Sequence, residues 1–363
     1  MQEEGKFGLA EAVVLLTMSN MARIFMTFPR GIIELAGPAA WLTPLPGLML
    51  ALLGVYIFWL LLKPHPDKTI VEITESALGP VFGTAINVIY VIFFLFVGMT
   101  FSRIFSEALL VSILPRTPIS AVNTGFVLTA LLGSYLGVEV LARSARVTYP
   151  FVLGGIIVLL VSLYPFYRPG FLFPMLGTGP YQVFVQGGFD TGVVSEVLIA
   201  AVIVHCLASR DLFTTAVSRA MLMGFAYLII LELAIIMDIN WRASSENTLP
   251  FYTLTRGIYL GRFFQRIEAI FVIIWGFIGM IKVSITLYAA SVTLARALKL
   301  PYYRPLIWPL GLIIFIISLL PPDLPTTALI DSEYLRPFGW FPTFLLPLVV
   351  LAVDRFRARR RES

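Results

Sequence analysis

Three ionisable side chains stand deep in apolar runs of this sequence: Arg23 in "MSNMARIFMTFPRG", Glu196 in "VVSEVLIAAVIV" and Lys282 in "GFIGMIKVSITLYAAS". If those runs cross a bilayer, each charge at that depth costs about 2.5–3.5 kcal/mol on insertion scales and has to be paired or solvated. The chemistry open to them is ion recognition: a guanidinium or ammonium holds a carboxylate, and a carboxylate neutralises a cation or carries a proton. Arg23, Glu196 and Lys282 are therefore expected to line one polar cavity and touch a ligand there. The competing reading is a structural ion pair that locks helices together. Asn20, just before Arg23, is placed in the same cavity, as are Phe94 and Gly98 of the third apolar run. Ser284 and Tyr288, four residues apart, share a helix face and can hydrogen-bond a ligand. Arg103 and Glu107 have the same spacing and read as a structural pair, while Glu232 reads as a lone carboxylate of the same vestibule. His205, beside the single cysteine Cys206, reads as hydrogen-bonded packing rather than a proton relay.

The elements that would hold these residues follow from composition. Of 363 residues, 58% are hydrophobic and only 13% charged, with a mean hydropathy of +0.90, whereas soluble domains carry about 25% charged residues. Apolar runs of spanning length, roughly 20 residues as helix, recur throughout, so the whole chain, 1–363, reads as one all-α integral membrane domain with no nucleic-acid role for its net charge of +5. One cysteine makes no internal disulfide, and His65 and His205 are too few for a histidine metal cluster, so neither a metal nor a cofactor is expected. The start, "MQEEGKFGLAEAVVLL", lacks a basic stretch followed by a cleavage site, so the first helix is expected to be retained.

Runs between Pro-, Gly- and charge-rich loops give ten spans, near 9–35, 41–62, 84–113, 120–136, 147–167, 190–208, 219–239, 266–298, 304–320 and 338–356. Cytoplasmic loops keep Lys and Arg. One loop set holds most of them, including Lys63, Lys68, Arg143, Arg146, Arg210 and the tail from Arg355 to Arg361; the other holds Arg116, Arg168, Arg242, Arg256, Arg262, Arg266 and Arg336. Both termini are thus expected in the cytoplasm, the tail 357–363 being a basic anchor. Ten spans divide into halves 1–167 and 184–356, an arrangement compatible with inverted five-helix repeats whose leading helices are interrupted. In span one, Ser19, Asn20, Arg23, Thr27 and Pro29 predict a break or kink. Span six follows "GTGPYQVFVQGGFDTG", whose glycines read as a flexible external connection with re-entrant backbone, or as a plain surface loop, because the Lys-Ser/Thr ending of a phosphate loop is missing.

The segment "LPFYTLTRGIYLGRFFQRIEAIFVIIWGFIGMIKVSITLY", 249–288, resembles the B-subunit permeases of GerA-type spore germinant receptors, through Pro250, Phe264, Arg266, Glu268, Ala269, Trp275 and Lys282. "TFPRG" at 27–31 and the Glu-x-x-x-Arg turn in "GVEVLARSARVTYP" at 137–150 support the resemblance in the same order. It implies membership of the amino acid/polyamine/organocation superfamily and a LeuT-like fold of five plus five inverted helices, with spans one and six broken and a ligand between spans one, three, six and eight. It also implies a multi-span A subunit and a lipoprotein C subunit as partners, in the spore inner membrane or cell membrane. Members of that family commonly carry Gly-x-Gly at the break in span one; here Ala22-Arg23-Ile24 stands in its place, so Ala22 and Ile24 join the expected ligand contacts and Arg23 favours an acidic or non-standard ligand.

The leading expectation is a germinant-receptor subunit that binds an amino acid or similar solute and triggers germination. Alternatives are a proton-coupled transporter of amino acids or polyamines, and a membrane scaffold whose polar groups merely lock helices. No HExxH, GxSxG, paired-cysteine set or phosphate loop occurs, so no enzyme is expected.

Overall fold

The computed structural model describes residues 5–257 and 268–362. Among these the chain makes ten helical passes. Eight helices are long and apolar enough to cross a membrane, and two passes use shorter apolar helices, Leu9–Met21 and Arg304–Ser318. Spans two to five are Pro44–Leu62, Pro80–Ser112, Ile119–Leu136 and Val138–Leu163; spans seven to nine are Leu212–Ile239, Glu268–Ala297 and Arg304–Ser318. Phe264, Arg266 and the external Arg262 lie outside the described residues.

Span one is two half-helices, Leu9–Met21 and Phe28–Ala36. Between them the backbone tightens into i→i−3 turns, with Ala22 N donating to Ser19 O, Ile24 N to Met21 O and Met26 N to Arg23 O. Pro29 does not kink a continuous helix. It sits in the first turn of the second half, where a missing N–H is no loss. Span six is interrupted as well. Its outer part runs through a π turn, Tyr181–Gln186, into Gly187–Gly192; Val193 and Val194 are extended; the inner half is Ser195–Val202. The glycine-rich run is therefore a connection only through Gly179; from Tyr181 it is helix. Gly187, Gly188 and Gly192 let this half-helix lie directly against span two, where an added Cβ at Gly187 would meet Thr43 at 2.4 Å and at Gly192 would meet Leu50 at 2.9 Å.

Span ten is longer than its apolar run suggests, Leu324–Arg359 instead of 338–356. Of three prolines, Pro337 stops the sequence-based span at its start, while Pro342 and Pro347 lie within it. Widened π turns at Ile330–Leu335 and Phe341–Leu345 absorb them and keep the helix going. Arg336, expected in an external loop, is consequently inside the helix and buried.

Span eight is the centre of the bundle: 78% of its most apolar stretch is buried within the protein, against 28% for span five, which turns residues such as Val147, Phe151 and Val161 outward. Such exposed apolar side chains are what a lipid-facing surface requires. The first described residues and the C-terminal helix end on one face: Phe7 bridges Leu207, Arg210 donates to the Pro66 carbonyl, and His65 reaches Asp354 at 3.4 Å. The short helix Ile70–Leu78 between spans two and three lies at that face. Its counterparts between spans seven and eight, Trp241–Glu246 and Pro250–Arg256, lie at the other, where Arg30 Nε donates to Ser245 O at 3.0 Å. Two five-helix halves of opposite orientation, each led by a broken helix, make up the fold.

Candidate functional site

The two breaks meet. From the break in span one, Arg23 Nη1 donates to the carbonyl of Thr191 at 2.8 Å, in the last turn of the outer half of span six. A helix C-terminus leaves carbonyls unsatisfied and carries partial negative charge, so a cation is well placed there. The guanidinium also lies 4.7 Å from the ring centre of Phe225 and 5.1 Å from that of Phe28, a favourable arrangement for a delocalised cation.

Glu196 opens the inner half of span six, where the helix dipole favours a carboxylate. Its Oε1 accepts from Lys282 Nζ at 2.5 Å and from Ser19 Oγ at 2.7 Å. Lys282 Nζ donates further to Ser195 Oγ at 2.9 Å and lies 4.7 Å over Phe101. Glu196 and Lys282 are buried, so their pairing is what makes either charge tolerable in the core. Spans one, six and eight are joined at this point by side chains alone.

Arg23, Glu196 and Lys282 line one cavity together with Asn20, Asp190 and the Asp331–Arg336 pair of span ten. It offers about 70 Å³ to molecules the size of water; one water takes roughly 10–15 Å³ on the same measure, so there is room for several waters or one small solute. Arg336 holds Asp331 through Nε and Nη2 at 3.1 and 2.8 Å and lies 4.6 Å from the ring centre of Phe28. The two residues are five apart, and the π turn at Ile330–Leu335 brings them together; i,i+5 spacing beside a run of prolines is the only trace of this in the sequence.

Other expected contacts lie elsewhere. Span three turns Phe93, Val97 and Phe101 to the cavity, one position round the helix from Phe94 and Gly98. Gly98 faces Ile314 of span nine, and Phe94 is buried beside Phe93. Ala22 and Ile24 are buried in the span-one turn without lining the cavity. Ser284 faces span four, its carbonyl accepting from Ser134 Oγ at 2.8 Å. Tyr288 packs near Cys206 and against Tyr303, towards the face of the termini. Arg103 pairs with Glu107 at 2.6 Å and reaches Ser318 O at 3.1 Å, tying span three to span nine. Glu232 is fully buried on span seven, and neither carboxylate oxygen has a hydrogen-bond partner among the described residues.

Inverted five-helix halves whose broken leading helices meet at a central polar cavity define a transporter-type architecture, and solved structures share it. Over 99% of this chain and 80% of the other, the nucleobase-cation-symport-1 family transporter Mhp1, closed with bromovinylhydantoin bound, superposes with a TM-score of 0.71 at 13% identity. MhsT in complex with L-phenylalanine gives 0.65 at 15% identity, over 97% of this chain and 99% of that one. At such identities the likeness is one of fold. Sequence goes further: residues 8–326 match the spore germination protein family, to which this chain belongs. It is 24% identical to spore germination protein KB of Bacillus subtilis, over 99% of this chain and 98% of that protein. Spore germination proteins YndE and A2 of the same organism are also 24% identical, each over 98% of this chain and over 98% and 97% of their own lengths. This chain is an integral membrane protein of that family.

Proposed function

We propose that the chain is the B-type, membrane-embedded subunit of a nutrient germinant receptor. The observation that carries this reading is the meeting of two broken helices at a charged cavity in a chain of the spore germination family. A small germinant such as an amino acid binds among Asn20, Arg23, Glu196 and Lys282. Occupancy favours one conformation over another by its differential affinity, and that difference is the signal. Halves 1–167 and 184–356 supply the two moving parts, and a multi-span A subunit and a lipoprotein C subunit receive the output. The site is the spore inner membrane, with both termini cytoplasmic as the distribution of Lys and Arg indicates.

The test is a pair of assays. Spores lacking this chain lose their response to one nutrient and keep non-nutrient germination, and proteoliposomes holding the purified protein take up no labelled amino acid under a pH gradient. Concentrative, pH-driven uptake would instead establish a proton-coupled transporter of amino acids or polyamines.

A further inference from the structure

Spans four and nine, one from each five-helix half, run side by side and leave between them a groove on the lipid-facing surface. Its walls are two stripes at helical spacing: Thr124, Leu128 and Leu131 on span four, and Trp308, Leu312 and Phe315 on span nine. Leu128, Trp308 and Leu312 are each more than half exposed. The groove is deep because span nine is thin there. Gly311 has no side chain, and a Cβ added to it would meet Leu131 at 2.5 Å; Pro309 offers only its ring. The space amounts to about 390 Å³, against about 70 Å³ in the central cavity. Thr124 spends its hydroxyl on Ser120 O at 2.7 Å, so the walls offer an occupant hydrocarbon contact.

Followed one turn further towards the face of the termini, both stripes reach a charge. Tyr135 continues the span-four stripe and Arg304 begins the span-nine stripe, with the guanidinium 5.1 Å from the ring centre of Tyr135. The end of the groove is therefore closed by a cation held across two helices. Lys299, just before span nine, pairs with Glu75 of the short helix at that face, which fixes the depth of Arg304 at the membrane boundary. Tyr303, buried edge-on against Tyr288 at 5.2 Å, fixes where the chain enters span nine. Other cations of this face already have carboxylates: Arg143 has Glu139, Arg146 has Glu11, Arg296 has Glu72 and Lys299 has Glu75. Arg304 is exposed and has neither a carboxylate nor a hydrogen-bond partner among the described residues. Lys63, by contrast, lies 4.7 Å over Trp59 of its own helix, as an interfacial anchor does.

Lipid tails are as apolar as the walls of such a groove, so hydrocarbon contact alone selects nothing. Selection has to come from the headgroup, and a guanidinium offers paired N–H donors that match a phosphate. A zwitterionic headgroup brings a cation that needs a carboxylate of its own, and Glu75 and Glu139 of the adjoining turns are already paired. We infer that the groove between spans four and nine binds one anionic phospholipid from the leaflet at the face of the termini, with an acyl chain between Leu128 and Leu312 and its phosphate on Arg304. A lipid held there bridges the two halves of the fold, so their contact depends on the lipid composition of the membrane.

The experiment uses the full chain in detergent, titrated with dioleoyl phosphatidylglycerol or dioleoyl phosphatidylcholine and read by native mass spectrometry and thermal unfolding. Phosphatidylglycerol is expected to bind at least about five-fold more tightly than phosphatidylcholine, as a single cation beside an anionic headgroup allows, and to raise the melting temperature further. Arg304→Gln should cut that preference below two-fold, while Lys63→Gln, at the same face, should leave it unchanged. Leu312→Trp, which fills the groove with Arg304 intact, should also remove the tightly bound lipid. Leu128→Trp repeats this test from the opposite wall, and both positions are exposed enough to accept the larger ring. Equal binding of the two lipids, a preference that survives Arg304→Gln, or one that falls as far with Lys63→Gln overturns the assignment. So does a photo-crosslinking residue at position 312 that captures a protein chain in native membranes; an adduct with the mass of an anionic phospholipid supports it.

Discussion

At the scale of single residues, the charged groups in the apolar runs differ in how they are satisfied, and their substitutions should differ accordingly. Glu196 is the sole hydrogen-bonded carboxylate partner of Lys282 among the described residues. Glu196→Gln leaves that ammonium buried without a counter-charge and is expected to cost about 3–5 kcal/mol. Adding Lys282→Met to the same chain should recover most of the loss, as read by thermal unfolding in detergent. Glu232 donates to and accepts from nothing described, so Glu232→Gln should stay within about 1 kcal/mol of the parent; a loss as large as that of Glu196→Gln would mean that a bond to Glu232 had been missed. Arg23, Glu196 and Lys282 were legible in the sequence because a charge in an apolar run is expensive wherever it points. Phe94, Gly98, Ser284 and Tyr288 were not placed correctly, because the side of a uniformly apolar helix that faces a cavity is set by its neighbours. A one-residue change of angle, about 100° round a helix, turned Phe93 and Val97 to the cavity in place of Phe94 and Gly98.

At the scale of elements, the ten passes and the break in span one were readable from hydropathy, Pro29 and the polar residues around Arg23. The limits of spans six and ten were not. Glycine and proline signal loops in soluble proteins, yet here glycines give span six its close seat on span two, and prolines spaced five apart are taken up by π turns in span ten. Asp331 and Arg336 reach the cavity only because of those turns, which is why neither was picked out. The glycine seat makes a sharp prediction. At Gly187 a Cβ would sit 2.4 Å from the Thr43 side chain, so Gly187→Val should destabilise by about 1–3 kcal/mol and pull the outer half of span six off span two. A melting temperature equal to the parent's would contradict that packing.

At the scale of the whole molecule, the single native cysteine, Cys206, is buried, so the chain is a ready background for introduced thiols. Arg116 and Arg357 are both exposed and lie at opposite faces of the bundle. With the termini in the cytoplasm, Arg116→Cys should react with a membrane-impermeant maleimide on intact cells and Arg357→Cys only after permeabilisation. The reverse pattern would invert the topology. The fold class was legible because ten apolar runs admit few arrangements, and the common face of the termini was expected from the even number of spans; contacts such as His65 with Asp354 are in keeping with it.

That face is fastened by charges of another kind. Span eight ends with Arg296 on Glu72 and Lys299 on Glu75, each at 2.6 Å, clamping the short helix Ile70–Leu78, and the Lys299 side chain is 70% exposed. Mobile ions screen such solvent-facing clasps, the Debye length falling to roughly 3 Å in molar salt, but they hardly touch a sealed pair such as Glu196 with Lys282. Ionic strength is therefore a dial that loosens this face of the molecule while sparing its centre. Concentrated sodium chloride should quicken amide exchange in Ile70–Leu78 and leave Ser195–Val202 as protected as before.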